Sequence, residues 1–214
     1  MIRVLVCDDH QIVRQGIRQI LADAGDIEVA AEAANGPDAV RRVRDRTDPP
    51  LDVVLLDIAM TGRDGLEVLR QLRREFPRLP VLILSTYPEK QYAVRSLKLG
   101  AAGYLNKSAD GEQMIEAVRR VAGGARYITP LAAEQLASAL DAGEGAERPA
   151  HERFSHREYQ VFQLLTAGHS VGEIALRLSL SSNTVSTYRA RLLEKTGARN
   201  DVELALYAVK SGLV

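Results

Sequence analysis

The sequence predicts an α/β domain built as a (βα)5 doubly wound parallel sheet, followed by a small all-α domain of four helices. Three observations carry that prediction. The run Leu51 to Asp57 is aliphatic and β-branched and stops at a carboxylate, so it reads as a strand buried on both faces. Strand-like runs alternate with amphipathic helical runs five times up to about residue 122. After Gly123-Gly124 that rhythm stops, and everything from Phe154 onward is helical in pattern.

Taken in order, strand Ile2 to Cys7 precedes helix Gln11 to Ala24, where Ile12, Val13, Ile17, Ile20 and Leu21 form one face and Gly25 closes the helix. Strand Ile27 to Ala33 leads through Asn35-Gly36 into helix Pro37 to Arg46, with proline in the first turn, where it is tolerated. Strand Val53 to Asp57 leads to helix Leu66 to Phe76. Strand Val81 to Leu84 leads to helix Glu89 to Leu99, and strand Gly103 to Asn106 to helix Gly111 to Ala122. A barrel would need about eight such units, so an open sheet is expected. Residues 1–122 form the first domain in this reading and 123–150 a linker. The linker contains an Ala-rich helix, Pro130 to Leu140, with Leu131, Leu136 and Leu140 available for packing, and then Asp141 to Pro149, which has almost nothing to bury. Residues 151–214 form the second domain. Its first helix starts at Ser155, with Glu158 three residues on as a capping box and Gly168 as the stop. Val171 to Leu178, a tight turn at Ser179 to Ser181, and Ser182 to Thr196 describe a helix-turn-helix. A fourth helix covers Val202 to Ser211.

Charge is balanced, with 28 basic and 28 acidic residues, but unevenly placed: between Arg177 and Arg199 there are five cations and one anion. Such a local patch suits a polyanion. A single Cys7 forms no internal disulfide and reads as a small buried strand residue. The short apolar run at the start fits neither a signal peptide nor a membrane span, and a cytoplasmic location with no membrane partner is expected.

Ligands of open parallel sheets bind at the carboxyl ends of the strands. Asp8 and Asp9, Asp57, Ser85 and Lys107 all fall there. Three converging carboxylates would raise one another's pKa, so a divalent cation such as Mg²⁺ is expected among them. Asp57 is then a candidate nucleophile for a phosphoryl group whose oxygens Lys107 and the cation neutralise, with Ser85 as a hydrogen-bond donor. Taken singly, each residue has a bland reading as a cap, a loop acid or a solvated cation; the set is far more specific than its members.

Residues 1–122 resemble the receiver domain of two-component response regulators. The matches are Asp8-Asp9, the strand ending in Asp57, Met60, Asp64-Gly65, Ser85 and Gly100-Ala101-Ala102-Gly103-Tyr104-Leu105-Asn106-Lys107, with spacings of 28 from Asp57 to Ser85 and 50 to Lys107. The resemblance implies that Asp57 accepts a phosphoryl group from a sensor histidine kinase. It also implies that Asp9, Asp57 and the Ala59 carbonyl bind Mg²⁺ with help from Asp8, and that Ser85 and Tyr104 switch together as Tyr104 turns inward. Read without the family, Tyr104 is equally a half-buried strand aromatic. The chain departs from the pattern at Thr61, where proline is usual, and at Ala59 and Tyr87, which offer no acid or amide to orient a water. Slow self-hydrolysis of the acyl phosphate is therefore expected; a contact surface for kinase or dimer is the other reading of Tyr87.

Residues 151–214 are similar to the LuxR/FixJ-type DNA-binding domain through Ser155, Arg157-Glu158, Gly168, Glu173-Ile174-Ala175, Leu178, Leu180-Ser181, Thr184-Val185, Lys195, Gly197 and Gly212-Leu213-Val214. Ser186 and Tyr188 depart from the common Lys or Arg and His. On the third helix Val185, Leu192 and Tyr188 look inward, while Ser182, Asn183, Ser186, Thr187, Arg189, Ala190 and Arg191 include the outward set. Ser186, Thr187 and Ala190 are assigned to base edges, and Thr184, Arg191 and Lys195 to phosphates. Val202, Ala205, Leu206 and Val209 are candidates for a dimer contact on DNA, unless they pack within the four-helix core. The resemblance to the NarL/FixJ type implies a transcription regulator that dimerises and binds double-stranded DNA when phosphorylated, with RNA polymerase as a possible partner. The rival readings are a regulator that binds DNA without phosphorylation and a Mg²⁺-dependent aspartyl-phosphatase. The latter generally needs a second acid where this chain has Ala59.

Overall fold

The computed structural model describes residues 1–45, 49–60, 64–87, 89–141 and 149–213. Thr61 and most of the stretch expected as a flexible boundary lie outside the described residues. The chain divides into two compact units, Met1–Glu144 and Gly145–Val214.

In the first unit β1 (Ile2–Cys7), β2 (Ile27–Ala33), β3 (Val53–Asp57), β4 (Val81–Ser85) and β5 (Gly103–Asn106) form one parallel sheet in the order β2-β1-β3-β4-β5. Helices α1 (Gln11–Ala22), α2 (Gly36–Arg44), α3 (Gly65–Glu75), α4 (Glu89–Lys98) and α5 (Gly111–Ala122) connect the strands or follow them. Val4, Val6, Val53, Leu55, Leu82 and Leu84 pack against α1 and α5 through Ile17, Leu21, Met114 and Val118. The alternate residues Leu5, Val54, Leu56 and Ile83 are equally buried, and the period-2 pleat turns them to the other face. Burial on both faces is why these strands read as unbroken apolar runs.

One residue of the expected α1 face is corrected: Ile12 is 80% exposed. It lies five residues before Ile17, about 140° around the helix from the buried stripe that Ile17 and Leu21 define. The helix α2 begins at Gly36, one residue before the expected proline, because the Asn35 side chain caps it by accepting from Asp38 N at 2.9 Å.

Beyond α5 the chain returns to the sheet. Tyr127 N donates to Ala102 O at 2.9 Å, and Tyr127 bridges Gly103 in parallel. A Cβ at Gly103 would lie 2.7 Å from Tyr127 O, so only glycine admits this close approach. The Thr129 hydroxyl then caps α6 (Pro130–Asp141) through Ala132 N and donates to the Glu89 carboxylate. Helix α6 packs on α4. It does so through the buried Ala132, while Leu131, expected to pack, is largely exposed; the Leu140 side chain lies outside the described residues.

The second unit opens with a 3-10 turn, Ala150–Arg153, followed by α7 (His156–Thr166), α8 (Val171–Leu178), α9 (Ser182–Thr196) and α10 (Asp201–Lys210). Reciprocal capping boxes start α7 at Ser155 with Glu158 and α8 at Ser170 with Glu173. Phe154, Phe162, Ile174, Val185, Leu192 and Leu204 are fully buried and form the core. Among the described residues, no helix is long and apolar enough to cross a membrane.

Candidate functional site

The strand order reverses at β1, so a crevice opens between the carboxyl ends of β1 and β3. Asp57, the last residue of β3, is 1% exposed. Its Oδ1 accepts from Ala59 N at 3.0 Å. Its Oδ2 lies 2.9 Å from Lys107 Nζ, an ion-pair contact without the alignment of a hydrogen bond. Lys107 is brought there by its own backbone, because its N–H donates to Ser85 O at 2.8 Å just beyond the β4–β5 ladder. The same ammonium donates to Asp8 Oδ2 at 2.5 Å. Asp8 is also buried and accepts from His10 N at 2.8 Å. Asp9 faces His10 Nδ1 at 2.7 Å, and His10 occupies the N-cap of α1. Candidate donor atoms of Asp8, Asp9 and His10 lie within 4.8 Å of one another. The start of α3 presses on the same spot: a Cβ at Gly65 would meet Asp57 O at 2.2 Å and Ile58 Cα at 2.7 Å. That contact explains the glycine after Asp64.

Burial raises the Asp57 carboxyl above its ordinary pKa, and the nearby Lys107 ammonium only partly offsets it. For Lys107 burial acts downward, but Asp57 and Asp8 outweigh it, so its pKa lies above the ordinary value and the group stays charged. Among the described residues, three carboxylates against one ammonium leave negative charge in excess at this edge. Cys7 takes no part: buried beneath the site, it contacts Met60 Sδ at 3.3 Å, and burial pushes its thiol far up.

Ser85 and Tyr104 meet across the Tyr87 peptide. Ser85 is fully buried, and its Oγ accepts from Tyr87 N at 3.1 Å. Tyr104, 2% exposed, is turned inward and donates its hydroxyl to Tyr87 O at 2.8 Å. Burial raises the Tyr104 phenol and the Ser85 hydroxyl opposes that rise. The Tyr87 ring is half-buried and packs on Tyr92 with centroids 5.0 Å apart.

In the second unit, Ser181 caps α9 by accepting from Thr184 N at 3.1 Å. Ser182, Asn183, Ser186, Thr187, Ala190 and Arg191 are exposed along α9, Thr184 is half-buried beside its cap, and Val185 and Leu192 point inward. Two cations are committed internally. Arg189 pairs with Asp201 of α10 at 2.7 Å, and Lys195 donates to Glu158 at 2.6 Å and to Arg153 O at 3.1 Å. The carboxylate that completes the capping box of α7 is thus also the counter-ion of Lys195. This ties α9 to α7 and engages an ammonium that the sequence had assigned to DNA phosphate. On α10, Val202, Leu206 and Val209 are exposed and Ala205 is half-buried, while Leu204 and Ala208 fill the core.

The description "Response regulator receiver domain" matches residues 4–119, and "Bacterial regulatory proteins, luxR family" matches residues 152–208. The chain is 41% identical to the response regulator GacA of Pseudomonas aeruginosa over all of this chain and 98% of that protein. It is 39% identical to the response regulator UvrY of Escherichia coli over all of this chain and 96% of that one. The chain belongs to the NarL/FixJ family of response regulators. Among solved structures, a complex of the response regulator RcsB with DNA resembles it with a TM-score of 0.56 and 25% identity, covering 97% of this chain and 98% of RcsB.

Within this NarL/FixJ response regulator, the structure brings Asp8, Asp9, Asp57, Ser85 and Lys107 to one sheet edge, as the strand ends predicted, and Tyr104, implied only by the resemblance, lies beside Ser85. One participant is missed by the sequence: Asn106, part of a motif only, joins two loops of the site through its amide. Lys195, assigned to DNA phosphate, also pairs with Glu158, 37 residues away, a separation that no local pattern signals.

Proposed function

We propose that the chain is a phosphorylation-switched, DNA-binding transcription regulator. Residues 1–122 serve as the receiver, 123–150 as the linker and 151–214 as the DNA-binding domain. The observation that carries this reading is the buried Asp57 carboxylate at the end of β3, held against Lys107 with Ser85 and a pair of acids at the same edge. An Asp57 oxygen takes the phosphoryl group from a phosphohistidine of a sensor kinase, forming an acyl phosphate and freeing the imidazole. Lys107 and Ser85 then bind the phosphoryl oxygens.

The acidic edge suits a divalent cation. Its donors are hard oxygens, and among the described residues its negative charge exceeds the one ammonium and Asp57 Oδ2 has no aligned hydrogen bond. Asp8, Asp9, Asp57 and the Ala59 carbonyl would hold Mg²⁺, which supplies charge neutralisation for the phosphoryl group. Ala59 and Tyr87 provide no group to orient a water, so the acyl phosphate is long-lived.

The response regulator RcsB, of the same fold, has been solved on DNA. By that likeness the exposed N-terminal half of α9 enters the major groove. Ser186, Thr187 and Ala190 face base edges, Ser182 and Asn183 line the entry, and Thr184, Arg191 and Lys195 meet phosphate. Phosphorylation brings two copies together, and Val202, Ala205, Leu206 and Val209 join them on DNA.

The deciding experiment follows mass and oligomeric state before and after Mg²⁺ with phosphoramidate, beside Asp57→Ala. One phosphoryl adduct, decaying slowly, absent from the variant and coincident with dimerisation, is expected. Dimerisation and DNA binding without any adduct would favour the phosphorylation-independent reading instead.

A further inference from the structure

Asn106 ends β5, pairs with Ser85 across the ladder and immediately precedes Lys107. Its side chain spans two loops. The amide Oδ1 accepts from Ser108 N at 2.9 Å and from Ser108 Oγ at 2.7 Å, while Nδ2 donates to Tyr87 O at 3.0 Å. A backbone N–H only donates and a backbone carbonyl only accepts, so these partners settle which way the amide points. The Tyr87 carbonyl is the same oxygen that receives the Tyr104 hydroxyl, and Tyr87 N is the donor that holds Ser85 Oγ. The two peptide groups that flank Tyr87 are therefore both held, the following one by Asn106 and Tyr104 on its oxygen and the preceding one by Ser85 on its nitrogen.

We propose that Asn106 is a positioning residue that latches the Tyr87 loop, so that the acceptor of Tyr104 and the Ser85 hydroxyl are held in place beside Lys107 for the phosphoryl group. The proposal rests on Asp57 as the phosphoacceptor. With the Tyr87 carbonyl held by Asn106, Tyr104 has a fixed acceptor inside the fold, and loss of that bond loosens the acceptor. With Tyr87 N held on Ser85 Oγ, the hydroxyl keeps a fixed place at the sheet edge from which to meet an incoming oxygen. Preorganisation of this kind removes a reorganisation step from phosphoryl uptake. The loss of one neutral hydrogen bond corresponds to about fivefold in an equilibrium constant, which sets the size of the expected effect.

The test uses the full chain with its seven tyrosines labelled as 3-fluorotyrosine, the Tyr104 resonance being assigned by Tyr104→Phe. Asn106→Asp keeps the acceptor for Ser108 and loses the donor to Tyr87 O; Asn106→Leu loses both. In each variant, before any phosphodonor is added, the Tyr104 ¹⁹F signal is expected to move toward its solvent-exposed position. Uptake from phosphoramidate with Mg²⁺ is expected to slow about fivefold, with thermal midpoints kept within a few degrees. A Tyr104 signal unmoved in both variants overturns the latch, even if the wild type is phosphorylated normally. A signal that moves in both variants, in a protein that accepts no phosphoryl group at all, supports the latch and sinks the phosphoacceptor reading instead.

Discussion

Burial and a neighbouring ammonium pull the Asp57 carboxyl in opposite directions, and burial prevails. A carboxyl whose folded pKa is raised binds its proton more tightly folded than unfolded. Its contribution to stability is present below the ordinary carboxylate pKa and is lost as pH rises through the raised value. At pH 7 the ionised Asp57 therefore costs stability. Asp57→Asn is expected to raise the thermal midpoint at pH 7 in metal-free buffer, and the gain should vanish in buffers below about pH 4. Mg²⁺ at 100 times its dissociation constant should stabilise the wild type by about 2.7 kcal/mol and the variant far less. Melting curves at both pH values, with and without Mg²⁺, check this; a variant less stable than wild type at pH 7 without metal would show that the Lys107 contact outweighs burial. At this scale the sequence was legible wherever chemistry sits at the end of a buried strand, because the sheet itself converges those ends: Asp57, Ser85 and Lys107 all obey that rule. It was illegible where a polar side chain joins separate loops, as Asn106 does, or recruits a distant partner, as Glu158 does with Lys195.

The elements were read from apolar period and caps, and departures arose where those signals had competition. The stripe of α1 was drawn too wide because Ile12 is apolar without being on the buried face. The return of Tyr127 to the sheet edge left no run long enough to read as a strand. The helix-turn-helix shows the opposite case, since its serines announced a turn and the turn carries measurable strain. Ser179 is the one described non-glycine residue with positive φ, at φ 52° and ψ 46°, closing α8 in the left-handed region. That conformation costs an L-residue about 1–2 kcal/mol, against about 0.5–1 kcal/mol of extra chain entropy for glycine. Ser179→Gly is expected to stabilise the second unit by about 0.5 kcal/mol, read as a small rise in its denaturant midpoint at unchanged slope. A fall in that midpoint would mean that the Ser179 side chain holds the turn in a way its backbone does not reveal.

For the molecule as a whole, the proposed dimer contact raises the question of how a modest apolar face on α10 could depend on the switch. Val202, Leu206 and Val209 are exposed in a row spaced by three and four residues, the spacing of one helical face. Burying an aliphatic side chain fully is worth about 1.5–3 kcal/mol, so six such residues across a two-fold contact supply roughly 9–18 kcal/mol at most. The loss of free motion on association costs about 4–15 kcal/mol, before side-chain ordering. The surplus is small, and the face alone should not hold two chains together at ordinary concentrations. Joining two receivers by phosphorylation turns this contact into an intramolecular one, at effective concentrations reaching the millimolar range. DNA carrying two half-sites does the same. A ligand that shifts such an equilibrium needs only a few kcal/mol of preference for one state. The prediction is that Leu206→Glu leaves phosphorylation and binding to a single half-site unchanged. It should abolish cooperativity on DNA with two half-sites and weaken that binding about 100-fold, as expected if two carboxylates must be buried at the contact. Titration of the phosphorylated full chain against single-site and two-site DNA measures both quantities, and cooperativity retained in Leu206→Glu would place the dimer contact elsewhere than on α10.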